Sequence, residues 1–202
     1  TAAPTATAAI TAVADDVAPV TGNLTTGGAT NDTSLTLSGT NTALGAGEVV
    51  AVYDGATRLG TATQATGTTW SFTDGTLAGT DAVSYTVRVE DAAGNQGTAS
   101  AAFTTTIDTV APTATAAITL VTDNFGLNTG NVPNGGATDD TSLDLSGTIT
   151  GALNAGEVVA VYDGAARLGN ALVSGATWSF TDSTLVNGDA VSYTVRVEDA
   201  AG

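Results

Sequence analysis

Two near-identical copies of one segment make up this sequence, and the repeat constrains the fold more than any other feature. Residues 4–11 recur unchanged at 112–119, an offset of 108 positions, and residues 82–94 recur at 190–202. Solenoid and propeller repeats have periods of roughly 20–50 residues, so a copy of this length predicts a domain with its own core. The predicted domains are 1–108 and 109–202.

Within each copy the hydrophobic pattern is that of β-strands. Val83, Tyr85, Val87 and Val89 alternate with polar residues, the period expected for a strand with one buried face. Turn-forming residues such as Asp54-Gly55 separate these runs. The predicted strands of the first copy are 4–11, 33–39, 48–53, 57–63, 69–73, 82–90 and 98–107. Seven short strands in about 100 residues predict an all-β fold, two tandem immunoglobulin-like β-sandwich domains.

The charge and composition exclude several classes of function. The chain has 20 acidic residues and four arginines, giving a net charge of −16, so it repels nucleic acid. Without cysteine or histidine it lacks zinc thiolate sites and the usual nucleophiles and bases, and we predict no enzyme activity. No apolar run reaches the roughly 18–20 residues of a membrane helix, so we expect no membrane insertion.

Three motifs in a fixed order resemble a known family. Residues 30–40 (TNDTSLTLSGT), 89–95 (VEDAAGN) and 107–112 (IDTVAP) resemble the bacterial immunoglobulin-like repeats of biofilm-associated and type I-secreted, RTX-like surface adhesins. The resemblance implies an extracellular spacer on the bacterial cell surface, which projects a ligand-binding domain for cell adhesion or biofilm formation. It also implies that neighbouring repeats are partners and that calcium stiffens the array.

Oxygen ligands for calcium are the one plentiful site chemistry. A calcium ion takes six to eight oxygens from carboxylates, carbonyls and water, and acidic residues lie in the linker and in loops at the domain ends. We expect structural Ca²⁺ at the interdomain junction. The candidate ligands are Asp15, Asp16, Asp32, Asp91, Asp108, Asp123, Asp139, Asp140 and Asp199. The alternative is that these residues only cap turns, as Asp and Asn commonly do.

The sequence permits several further interpretations. The second copy stops at Gly202, before the counterpart of 98–107, so we expect the second domain to lack its last strand in this chain. That strand is either cut off or supplied by a neighbouring chain through strand complementation, which would make a filament. A glycan- or ice-binding module is another alternative. We expect Trp70, Phe72 and Tyr85 in the core, together with Leu35, Leu37, Val83, Val87 and Val89. Ser84, Thr86 and Arg88 should lie outside, and Arg88 with Glu90 should form a solvated surface pair.

Overall fold

The computed structural model describes residues 2–202, and these form β-strands joined by turns and loops, without helices. The chain divides into two compact units. Unit 1 comprises the residues up to Val110 together with Ala200–Gly202, and unit 2 comprises Ala111–Asp199. Each is described separately below.

Unit 1 is a sandwich of two five-stranded sheets. The first sheet has the order β2-β1-β4-β8-β7 and the second has the order β3-β10-β9-β5-β6. The strands are β1 (Ala8–Asp15), β2 (Gly22–Asn23), β3 (Gly28–Thr30), β4 (Leu35–Asn41), β5 (Val49–Asp54), β6 (Thr57–Thr61), β7 (Thr63–Thr66), β8 (Thr69–Asp74), β9 (Ala82–Glu90) and β10 (Phe103–Ile107).

The core of unit 1 lies between these sheets and follows the predicted alternation. The inward residues of β9 and the two leucines of β4 are buried, as is Trp70 of β8. The predicted core residues Leu35, Leu37, Trp70, Val83, Tyr85, Val87 and Val89 are thereby confirmed. Ser84, Thr86 and Arg88, which we expected outside, are half-buried.

A glycine makes room for the core tryptophan in each copy. A Cβ at Gly39 would collide with the Ala9 carbonyl oxygen and the Trp70 ring, so this position of β4 excludes any larger residue. The Trp70 indole nitrogen donates to the Thr40 carbonyl at 3.1 Å. Gly147 and Trp178 repeat the close packing in the second copy, but there the indole nitrogen donates to the Ala117 carbonyl at 3.2 Å.

The predicted strand 57–63 is wrong in one respect, because the chain changes sheets within it. Strand β6 pairs with β5 in the second sheet, whereas β7 pairs with β8 in the first. The crossing point is Ala62, which is buried and donates its amide to the Val50 carbonyl at 2.9 Å. Alternating side chains alone do not indicate which sheet a segment joins.

The first and last strands of the copy also differ from the predicted bounds. β1 starts at Ala8 and continues to Asp15, past a bulge between Ile10 and Ala12 in its pairing with β4. β10 starts only at Phe103, because the Ser100 hydroxyl replaces a backbone carbonyl as the acceptor for the Val87 amide. The long loop predicted after the first strand contains β2 and also β3, which pairs with β10 in parallel.

Unit 2 repeats this plan with a smaller second sheet. Its first sheet has the order β12-β11-β13-β17-β16, and its second sheet contains only β15-β14-β18. The strands are β11 (Thr115–Asp123), β12 (Gly130–Asn131), β13 (Leu143–Thr150), β14 (Val158–Asp163), β15 (Ala166–Asn170), β16 (Leu172–Ser174), β17 (Thr177–Asp182) and β18 (Tyr193–Glu198). Within the described residues β18 pairs with β14 alone. The all-β sandwich prediction, with the last strand of the second copy missing from this chain, is confirmed.

Candidate functional site

The acidic residues at the end of unit 1 where β10 finishes form a buried hydrogen-bonded cluster. Asp15, Thr30 and Asp32 are all less than 5 % exposed. The Thr30 hydroxyl donates to Asp15 Oδ2 at 2.6 Å, and its oxygen accepts the Asp32 amide at 3.0 Å. Asp15 is the last residue of β1 and Thr30 the last of β3, so the ends of two strands bring the cluster together.

Two further predicted ligands lie beside this cluster. The Asp16 amide donates to Asp32 Oδ2 at 3.2 Å. The Asp108 amide donates to the Thr30 carbonyl at 2.8 Å, and its own carboxylate accepts the Val110 amide at 3.0 Å. The structure therefore brings four of the predicted aspartates together around Thr30.

Unit 2 builds the same cluster from the corresponding residues. The Thr138 hydroxyl donates to Asp123 Oδ2 at 2.6 Å, and the Asn124 amide donates to Asp140 Oδ2 at 2.9 Å. Asp123 and Asp140 are buried, whereas Asp139 is exposed. Since both copies keep these contacts, the cluster is a property of the domain.

The hydrogen bonds account for the buried carboxylates without a metal ion. Both oxygens of Asp15 accept hydrogen bonds, from the Val17 amide and the Thr30 hydroxyl, and both oxygens of Asp32 accept backbone amides. A calcium ion would need six to eight oxygens, and the described residues contain no group of three or more acidic side chains placed to hold a metal ion. Each carboxylate oxygen has a second lone pair that is able to bind a calcium ion as well. The hydrogen bonds therefore do not test the predicted calcium site, which stays a prediction.

Asp91 lies in the turn that follows Glu90, the last residue of β9. Its carboxylate accepts the Asn95 side-chain amide at 2.7 Å and the backbone amides of Ala93 and Asn95 at 2.9 Å. These bonds, the Asn95 side chain first, lower the pKa of Asp91 below its ordinary value. Asp199, the corresponding residue of the second copy, is half-buried.

A second polar cluster covers the outer face of the second sheet. Glu90 is 8 % exposed; it accepts a hydrogen bond from the Tyr53 hydroxyl and another from Arg58 Nε at 2.9 Å. The Arg88 guanidinium lies over the Tyr53 ring, 4.3 Å from its centroid, a cation–π contact. The expectation of a solvated Arg88–Glu90 pair is therefore wrong, because Tyr53 and Arg58 hold Glu90 while Arg88 stacks on the tyrosine.

The two copies complete this cluster differently. In unit 1, Gln96 accepts from Arg88 Nη1 at 2.8 Å and donates to Glu90 Oε1 at 3.2 Å. In unit 2 the chain carries no counterpart of Gln96, and Arg196 instead donates directly to Glu198 at 2.9 Å. Burial opposes ionisation of Glu90, but the hydrogen bonds from Tyr53, Arg58 and Gln96 outweigh it and lower its pKa.

The class of domain is identified by a match to a known family. The profile of the bacterial Ig-like domain family matches residues 5–109. The chain belongs to this family. Bacterial Ig-like domains are typically non-catalytic, and in this bacterial Ig-like domain the carboxylates of the Asp15 and Glu90 clusters accept hydrogen bonds from side chains and from backbone amides. The described residues contain no helix of the length and hydrophobicity needed to cross a membrane.

One curated relative contains a similar segment within a longer protein. The chain is 36 % identical over 157 residues to Exoglucanase B of Cellulomonas fimi, a match that covers 75 % of this chain and 12 % of that protein. The chain thus spans about an eighth of this curated relative. A crystal structure of the titin domains z1z2 in complex with telethonin aligns over 97 % of this chain and 91 % of its own, at 12 % identity and a TM-score of 0.32.

Sequence reasoning missed the Glu90 cluster of the bacterial Ig-like domain, although a signal for it exists. All four cations of the chain belong to two equivalent pairs, Arg58 with Arg88 and Arg167 with Arg196. Each pair accompanies a tyrosine of β5 or β14, Tyr53 or Tyr162, that an alternating pattern alone does not assign to the outer face. Because the chain is so acidic, arginines that recur at the same positions of both copies indicate a buried acidic partner.

Proposed function

We propose that this chain is a spacer segment of an extracellular bacterial protein, in which repeated Ig-like domains hold functional parts apart. The observation that supports it most directly is the repetition itself: two copies of one sandwich share long identical stretches, such as 82–94 and 190–202. A spacer gains length by adding copies, whereas a ligand-binding or catalytic site needs a distinctive set of residues in one place.

The parent protein that we propose is a surface adhesin. The motifs at 30–40, 89–95 and 107–112 resemble those of adhesin repeats, and the acidic, cysteine-free composition suits a secreted array. The similarity to part of an exoglucanase supports a second kind of parent, an enzyme with further modules. In this proposal the domain is a spacer outside the cell in either parent.

Calcium stiffening is the mechanism that we propose for the spacer. Seven residues, 108–114, separate β10 from β11, and a short segment between two domains is a hinge unless something holds it. A calcium ion held by Asp108 and the Asp15, Asp16 and Asp32 cluster, with Asp199 from the second domain, would fix that hinge. An affinity of about 10⁻⁴–10⁻³ M, usual for extracellular modules, would fill the site outside the cell and empty it inside.

The test is small-angle scattering and thermal unfolding of the chain in chelator and in millimolar calcium. Calcium should increase the maximum dimension and raise the melting temperature, and Asp108→Ala should remove most of both effects. Asp144→Thr is the matched control, since it also removes one carboxylate and installs the residue found at the corresponding Thr36 of the first copy. It should leave the calcium response intact. Identical scattering and melting in both buffers would leave a spacer that does not depend on calcium.

A second candidate role is strand complementation between chains. It is favoured by one observation: β18 pairs with β14 on one side only, and its inward residues Tyr193, Val195 and Val197 are half-buried. An unpaired strand edge beside apolar side chains can accept a strand from another molecule. If neighbouring chains fill this edge, the melting temperature of unit 2 should rise with protein concentration; a melting temperature independent of concentration excludes this role.

A further inference from the structure

Two Asn-Gly pairs occur in the chain, and both belong to the second copy. They are Asn134-Gly135 and Asn187-Gly188, where the first copy has Thr26-Gly27 and Gly79-Thr80. All four residues of the two pairs are exposed. Neither asparagine carboxamide makes a hydrogen bond to the described part of the chain, in contrast to Asn124 and Asn154, whose carboxamides bond to carboxylates.

Each pair lies at the centre of a tight turn. The Gly136 amide donates to the Pro133 carbonyl at 2.8 Å around the first pair, and the Asp189 amide donates to the Val186 carbonyl at 3.1 Å around the second. The central glycines have φ of +76° and +100°, so these are turns with glycine at the third position. The glycine has no side chain to shield its own amide nitrogen from the neighbouring carboxamide.

We propose that Asn134 and Asn187 are sites of spontaneous covalent modification, deamidating through a cyclic imide, with Asn134 reacting first. The amide nitrogen of the following glycine loses its proton to solvent base and bonds to Cγ of the asparagine. The Cγ–Nδ2 bond breaks while its nitrogen takes a proton from solvent, and ammonia leaves. Water then opens the imide at either carbonyl, giving aspartate or isoaspartate. The net reaction replaces ammonia with water and consumes no oxidant, reductant or cofactor.

The order of reaction follows from how each turn is held. Cyclisation requires the backbone between Asn and Gly to rotate, so it depends on local opening of the turn. The turn at 186–189 has a second tie, because Asp189 Oδ2 accepts the Val186 amide at 2.8 Å. The turn at 133–136 has only its backbone hydrogen bond among the described contacts. It should therefore open more often, and Asn134 should be converted sooner.

The first copy has no asparagine at either position. Thr26-Gly27 has the same turn, with φ of +83° at the glycine and a bond from the Gly28 amide to the Thr25 carbonyl, and its Gly27 amide also donates to the Thr104 carbonyl at 2.7 Å. At Gly79, an added Cβ would displace the Thr109 side chain. Each conversion adds one negative charge, and ageing thus makes two nearly identical domains chemically different.

The experiment is a time course of the intact chain at 37 °C and mildly alkaline pH, followed by peptide mapping with mass spectrometry. The peptide containing Asn134 should gain about 1 Da before the peptide containing Asn187 does, with isoaspartate detected at both positions and a rate that rises with pH. Asn134→Thr, which copies Thr26, should abolish the first conversion. Thr26→Asn should create a new site in the first copy that reacts more slowly than Asn134, because the Gly27 amide, the attacking nitrogen, donates to the Thr104 carbonyl at 2.7 Å.

Two results would overturn the proposal. If both asparagines stay intact in the folded chain over a period in which they convert fully in urea, the folded turns block the reaction. Conversion of Asn187 before Asn134 would overturn the assigned order and the role of the Asp189 tie. Circular dichroism of each variant distinguishes a change in the turn from loss of the fold.

Discussion

The segments 82–94 and 190–202 have the same sequence but different neighbours, and they fold differently. β9 spans Ala82–Glu90 between β5 and β10, whereas β18 spans only Tyr193–Glu198 and pairs with β14. Val83 is 4 % exposed and its counterpart Val191 is 37 % exposed. Identical residues therefore become core or surface according to the strand beside them, and the pattern of alternation sets only which face they can bury.

Other contacts survive without the last strand. Tyr85 donates to Asp74 at 2.8 Å, and Tyr193 donates to Asp182 at 2.7 Å. Burial, with the hydrogen bond to the aspartate, raises the pKa of both tyrosines above 10.0. These pairs connect strands that both units possess, so this link is kept in both copies while the coverage of their cores differs.

The largest expected effect comes from removing the core tryptophan of one copy. Trp70→Ala should cost unit 1 roughly 3–5 kcal/mol, the usual range for such a truncation, against a stability of about 5–15 kcal/mol for a typical domain. Calorimetry of the unaltered chain should show unit 2 melting first, because its core is less covered. Trp70→Ala should reverse that order and Trp178→Ala should widen the gap. If unit 1 melts first in the unaltered chain, or both units melt together, the difference in coverage does not set stability.

A smaller effect should follow from giving unit 2 the strand that unit 1 has. Adding the sequence of residues 95–108 after Gly202 should allow a strand to pair with β18 and cover Val191, Tyr193 and Val195. Full burial of such a side chain contributes about 1.5–3 kcal/mol, so these partly exposed residues should each gain about half of that. The melting transition of unit 2 should then approach that of unit 1.

The control for this extension keeps its length and changes its inward face. Phe103 and Ile107 pack against the core of unit 1, so the control extension carries aspartate at the two corresponding positions. It should give little stabilisation. An equal gain from both extensions would mean that added chain length, and not strand pairing, is responsible.

The sequence predicts the parts of the fold that depend on alternation and on repetition. The inward residues of β9, the leucines of β4 and Trp70 are all buried as predicted. The change of sheet at Ala62 and the late start of β10 could not be predicted, because each depends on one hydrogen bond to another strand, from the Ala62 amide and to the Ser100 hydroxyl.

The candidate site was predicted less completely. Asp15, Asp32 and Asp108 do lie together, since loops that follow neighbouring strands meet at one end of a sandwich. That Thr30 ties them together was not visible, because a threonine in a threonine-rich chain has no distinguishing pattern. The burial of Glu90 depends on Tyr53 and Arg58 from two other strands, and no spacing along the chain indicates such a meeting.

The smallest expected effect concerns Gln96, which completes the Glu90 cluster only in unit 1. Gln96→Ala should cost unit 1 about 0.5–1.5 kcal/mol at neutral pH, the usual contribution of a hydrogen bond, and should turn Arg88 toward Glu90 as Arg196 is turned toward Glu198. The pKa of Glu90 lies below its ordinary 4.5. Its hydrogen bonds therefore stabilise the fold above about pH 4.5 and lose that effect as pH falls through the lowered pKa.

Denaturant unfolding measured from neutral pH down through the lowered pKa of Glu90 separates the two roles of this glutamine. Part of the cost of Gln96→Ala arises from Glu90, and that part should disappear once Glu90 is protonated, whereas the part that arises from the bonds of Gln96 to Arg88 and Tyr53 should persist. The cost should thus shrink without vanishing. Unit 2, which has no such glutamine, should be unaffected at either pH. If Gln96→Ala lowers the free energy of unfolding equally at neutral and acid pH, Gln96 acts on Arg88 and Tyr53 alone. Glu90 would then be held as well without Gln96 as Glu198 is in unit 2.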